Sequence, residues 1–62
     1  MKRRDLLRHL RQHRSRLVRE GGELSIWENP VTHRRTSVPR HNKILEFTVA
    51  RICKQLGVPV PA

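Results

Sequence analysis

Sixty-two residues carry 14 Lys and Arg against 5 Asp and Glu, a formal net charge of +9. A chain this short reads as one domain, residues 1–62, with a small core and no room for a deep substrate cavity, so any chemistry belongs on an open face. The charge excess makes nucleic acid the first partner to consider, ahead of an acidic protein surface or a merely solvated basic exterior.

Arginine dominates the cations, and its planar fork suits bidentate phosphate contacts and stacking better than the point charge of lysine. The single cysteine, Cys53, excludes an intrachain disulfide framework and fits a reducing compartment. The sequence offers neither the apolar run of a signal peptide nor the ~20 apolar residues of a membrane span. The expected setting is the cytoplasm, with no membrane association.

Met1 to His13 reads as a helix, because Leu6, Leu7 and Leu10 recur at a spacing that shares one face while Arg3, Arg4, Arg8 and Arg11 fall largely on the other. Asp5 suits the positive end of the helix dipole, and no side chain stands out as an N-cap. His9 and His13 lie four apart without a carboxylate or thiol placed to complete a metal site, so they read as solvated helix histidines. No metal and no cofactor is expected.

Ser15 to Glu20, with Val18 beside Leu17, reads as a short strand running into Gly21-Gly22. Two-residue hairpin turns favour positive φ, so this glycine pair is expected to supply it and to start an antiparallel partner over Glu23 to Asn29. Alternation puts Leu24, Ile26 and Glu28 on one face and Ser25 and Trp27 on the other. Pro30 closes that strand.

Val31 to Arg34 reads as a turn and Arg35 to Val38 as a third strand, with Thr36 and Val38 on one face. Arg40-His41-Asn42-Lys43 then crosses to a last helix, forming a second cationic cluster expected beside Arg34 and Arg35. In that helix Val49, Ile52, Cys53 and Leu56 make one buried stripe. Asn42 is one candidate cap, a start nearer Glu46 is the other, and Gly57 with Pro59 stops the helix ahead of an extended tail to Ala62. The expected fold is α+β: three antiparallel strands with one open face, and two helices burying Leu6, Leu7, Leu10, Trp27, Val49, Ile52 and Leu56 against the other.

Laid end to end, Lys2-Arg3-Arg4-Asp5-Leu6-Leu7, Leu17-Val18-Arg19-Glu20-Gly21-Gly22, Ser25-Ile26-Trp27 to Asn29-Pro30, Val38-Pro39-Arg40-His41 and Ile52-Cys53-Lys54-Gln55-Leu56-Gly57-Val58-Pro59 resemble the HicA toxins of HicA–HicB toxin–antitoxin systems. The resemblance implies a fold similar to a double-stranded-RNA-binding domain, in α-β-β-β-α order. It also implies a metal-independent endoribonuclease that cleaves mRNA and is covered by a HicB antitoxin. The family's essential histidine follows the glycine turn in a Gly-x-His pattern, and here that position reads Gly22-Glu23-Leu24.

Metal-free RNA cleavage needs a group to take the 2′-hydroxyl proton, another to protonate the leaving oxygen, and cations to stabilise the crowded phosphate. Leucine does none of this, although it nearly matches histidine in size. A substitution introduced so that a toxin can be produced accounts for Leu24 somewhat better than a naturally degenerate copy, since the rest of the pattern is intact.

His41 is a weaker catalytic candidate, with contact to phosphate or solvent as its plainer role, and His33 has less claim still. Lys2, Arg3, Arg4, Arg34, Arg35, Arg40 and Lys43 are the candidates for RNA backbone contacts, each with a solvated surface charge as its alternative. The reading is thus a toxin ribonuclease impaired at Leu24. Two others stand beside it: a non-catalytic RNA-binding module, and an interaction protein whose acidic antitoxin covers Leu24 and Ile26.

Overall fold

The computed structural model describes residues 1–61. Its elements run α1 (Arg3–Gln12), β1 (Arg16–Glu20), β2 (Leu24–Asn29), β3 (Arg34–Pro39) and α2 (Glu46–Leu56). The strands form one antiparallel sheet in the order β1-β2-β3. Both helices lie on one face of it, as the α+β reading expects.

The core forms where the apolar stripes of the two helices meet the inward residues of β2 and β3. Leu6, Leu7 and Leu10 from α1 and Val49, Ile52, Cys53 and Leu56 from α2 close over Trp27 and Val38. Ser25, Trp27 and Asn29 are buried on β2 while Leu24, Ile26 and Glu28 face the other way, the period-two pattern of a sheet covered on one side. Trp27 is buried, its ring under the Arg11 guanidinium at 5.3 Å and its Nε1 donating to Ser25 Oγ at 3.1 Å.

Helix α2 ends in a Schellman motif. Gly57 takes φ 73°, its N–H donates to Lys54 O at 3.2 Å, and the Val58 N–H donates to Cys53 O at 2.9 Å. Val58 is thereby folded back into the core, while Pro59 and Val60 beyond it are exposed; Ala62 lies outside the described residues. Asn29 Nδ2 and Thr32 Oγ1 both donate to Leu56 O, at 2.9 and 3.1 Å, which pins the β2–β3 turn to the end of α2.

The expectation for the glycine turn is corrected. Neither Gly21 nor Gly22 has a positive φ. What Gly21 supplies is close approach: a Cβ there would stand 2.7 Å from Leu24 O, the carbonyl that accepts the Gly21 N–H. Of the two starts open for α2, the one at Glu46 is adopted, because residues 42–44 run antiparallel to the start of the chain: Arg3 N–H donates to Asn42 O and Ile44 N–H to Met1 O, both at 2.8 Å. That pairing buries Ile44, which periodicity alone did not mark as core.

Candidate nucleic-acid interface

Residue 24 opens β2 on the face that no helix covers. Leu24 is registered opposite Pro39, so the last residues of β3 and the segment after it stand beside it. A shallow depression of about 490 Å³ forms there, lined by Gly22, Glu23, Leu24, Ser37, Pro39, Arg40 and His41. Leu24 is 41% exposed, which leaves an apolar surface open to solvent beside Glu23, Arg40 and His41.

Arg40 is held in place at this depression. Its N–H donates to Glu23 O at 3.2 Å, its Nη1 donates to Gly21 O at 2.9 Å, and its Nε lies 3.2 Å from Glu20 Oε1. One arginine therefore ties the β1–β2 hairpin to the end of β3, while its side chain stays half in solvent. His41 is exposed beside it. The structure thus brings Leu24, Arg40 and His41 to one place.

A second hollow, of about 500 Å³, lies along α1 and is lined by Lys2, Arg3, Arg4, Leu7, Arg11, Asn42 and Lys43. The bridge between Lys2 and Lys43 sets two lysines directly across from each other, an arrangement of like charges that an anion between them relieves. Arg4 and Lys43 are exposed there.

Arg3 is engaged differently. Its Nε donates to Pro39 O at 2.9 Å and its Nη2 to Ser25 Oγ at 3.1 Å, so it fastens α1 to β2 and β3 with the hydroxyl that also serves Trp27. Part-buried and committed to the fold, it has fewer donors for a ligand than its neighbours. Spacing does not reveal this, since it marks Arg3 only as one more cation at a helix start.

The cations of β3 are not beside the 40–43 cluster, contrary to the sequence expectation. Arg34 pairs with Asn29 and Arg35 with Glu28, whereas Pro39 pairs with Leu24; five residues of extended strand put the two ends roughly 17 Å apart. Arg35 Nε donates to Glu28 Oε2 at 3.1 Å and Arg16 Nη2 donates to Glu28 Oε1 at 3.2 Å. The bond from Arg35, then that from Arg16, hold the Glu28 carboxyl below the usual carboxylate range.

The remaining chemistry-bearing side chains sit away from this face. His9 Nε2 donates to Pro59 O at 2.6 Å and its ring lies 4.6 Å from that of His13. His33, at φ 59°, belongs to the β2–β3 turn at the far end of the sheet. Burial pushes the Cys53 thiol up, which makes it an inert core group rather than a nucleophile. Among the described residues no three side chains of His, Cys, Asp or Glu converge, and no helix is long and apolar enough to cross a membrane.

The arrangement is an open sheet face with a cation-flanked depression at the start of β2, and it offers phosphate recognition without an enclosed pocket. No curated protein and no solved structure matches the chain. The family model described as HicA toxin of bacterial toxin-antitoxin matches residues 3–58, from the first turn of α1 to the Schellman cap of α2, and the chain therefore belongs to the HicA family of toxin nucleases.

Proposed function

We propose that this chain is the toxin of a HicB-like antitoxin pair, built on the scaffold of an mRNA-cleaving endoribonuclease that uses neither metal nor cofactor, and that Leu24 disables its cleavage step. The observation that carries the reading is the place of residue 24: on the uncovered face, at the rim of the Arg40 and His41 depression, where a strand of RNA has access from solvent.

In such a reaction the 2′-oxygen attacks the adjacent phosphorus and loses its proton to a base. The bond from phosphorus to the 5′-oxygen breaks, and that oxygen takes up a proton. Imidazole suits either transfer near neutral pH because its ordinary pKa is about 6.5. Arg40, fixed by the hairpin carbonyl and Glu20, is the cation aimed at the phosphate, and a preorganised charge is worth most where negative charge develops. Leucine at position 24 leaves RNA binding in place and removes one proton-transfer group. Lys2, Arg4 and Lys43 supply backbone contacts along the α1 hollow.

The test is the Leu24→His variant on labelled RNA in chelator, beside the unaltered chain and with both shown to be folded. The variant is expected to cut while the parent does not, a gain on the order of 10²–10⁴-fold for one proton-transfer group. Cleavage by both would move the catalytic role to His41. A second reading, an RNA-binding module without catalytic history, draws its support from Leu24 itself; binding by both proteins with cleavage by neither would favour it.

A further inference from the structure

The bulge at Val18 changes which way the arginines of β1 face. In an unbroken strand Arg16 and Arg19, three positions apart, project to opposite faces. Here Arg16 pairs with Glu28 and Arg19 with Ile26, and the register shifts between Leu17 and Arg19. Glu28 and Ile26 share the open face with Leu24, so the extra residue turns both arginines onto that face. Re-aiming a side chain in this way is a common use of a bulge.

From the other side of the sheet β3 adds Arg35, directly opposite Glu28. One carboxylate then stands between two guanidiniums whose side chains remain 67% and 60% exposed. Arg19 makes no ion pair among the described residues. Three arginines against one carboxylate leave the patch cationic. Glu28 lies four residues along β2 from Leu24, about 13 Å, with Ile26 between them, so the patch and the depression belong to one continuous surface.

We propose that Arg16, Arg19 and Arg35 form a track for the backbone of a single RNA strand, carrying it from the Leu24 depression across the open sheet to its far end. The track rests on the RNA reading of the depression. Charge complementarity favours a polyanion here, because a neutral partner would bury Arg19 without a carboxylate and leave Arg16 and Arg35 sharing the single charge of Glu28. Their planar forks match phosphate oxygens in pairs. Beyond the depression the track runs over the open sheet, separate from the α1 hollow, and none of the basic side chains on the outside of α2 takes part.

The experiment follows a labelled single-stranded RNA by fluorescence anisotropy across a range of salt concentrations. The proteins are the unaltered chain, Arg16→Ala, Arg19→Ala, the double variant, Arg40→Ala, and Arg51→Ala on the outer face of α2 as a charge-matched control; circular dichroism and thermal unfolding confirm each fold. Each track variant is expected to lower the slope of log affinity against log salt by about 0.7, and the double variant by about twice that. Arg51→Ala is expected to keep the slope of the parent.

A double variant with the parent's slope, beside an Arg40→Ala that binds more weakly, overturns the track and leaves the RNA reading standing. A slope lowered equally by Arg51→Ala also overturns it, since net charge would then explain the loss. A parent chain that fails to bind RNA but binds a purified acidic HicB-like protein overturns the RNA reading and the track together.

Discussion

Glu28 is the residue whose titration the fold most clearly controls. Two arginines hold its carboxyl below the ordinary range, so between its folded pKa and the ordinary value near 4.3 the unfolded chain binds more protons, and stability rises with pH. The contribution is complete above that ordinary value and is lost as pH falls through the lower, folded one. Glu28→Gln is expected to be less stable than the parent at neutral pH, with the gap closing on acidification; urea midpoints at several pH values measure it. A gap that stays constant with pH would assign the effect to packing. At the same scale, alternation places Leu24 and Glu28 together on the open face, but nothing in the sequence couples Glu28 to Arg16 and Arg35, which are twelve and seven positions away and meet it only through strand register.

The β1–β2 hairpin is the element on which the depression depends, because its tip supplies Gly22, Glu23 and Leu24 and its carbonyls anchor Arg40. Its two glycines are not equivalent. A methyl group at Gly21 meets backbone at 2.7 Å, whereas one at Gly22 meets nothing within 4 Å, and neither residue needs positive φ. Gly21→Ala is expected to destabilise the fold by about 1–3 kcal/mol through overpacking against a main chain that has no room to yield, and to weaken RNA binding with it. Gly22→Ala is expected to be neutral or slightly stabilising, within about 1 kcal/mol, because it narrows only the unfolded ensemble. Denaturant unfolding of the pair checks the contrast; equal effects would contradict it. The glycine pair announces a hairpin in the sequence, but which glycine matters follows from how closely Leu24 O approaches.

The whole molecule rests on one small cluster in which Trp27 is the largest buried side chain. A domain of this size holds on the order of 3–9 kcal/mol in total, and Trp27→Ala is expected to remove about 3–5 kcal/mol of it. The variant is then expected to unfold at a clearly lower temperature and denaturant concentration than the parent, read from far-ultraviolet circular dichroism because Trp27 is the only tryptophan of a chain without tyrosine. A variant that kept the parent's midpoint would place the centre of the core elsewhere.

The leucine spacing of α1, the buried stripe of α2, the alternation around Trp27 and the charge excess follow from the sequence by itself, because helix and strand periods and burial act over a few neighbouring residues. The Gly-x-His gap at Leu24 also comes from the sequence, through the family pattern. Only the tertiary structure decided the rest: that Arg3 is bound into the fold, that Arg34 and Arg35 stand a strand's length from Arg40, that residues 42–44 pair with the start of the chain, and that a bulge turns Arg16 and Arg19 to one side. Each depends on register between segments distant in the chain, and a one-residue slip reverses the face on which a side chain lies.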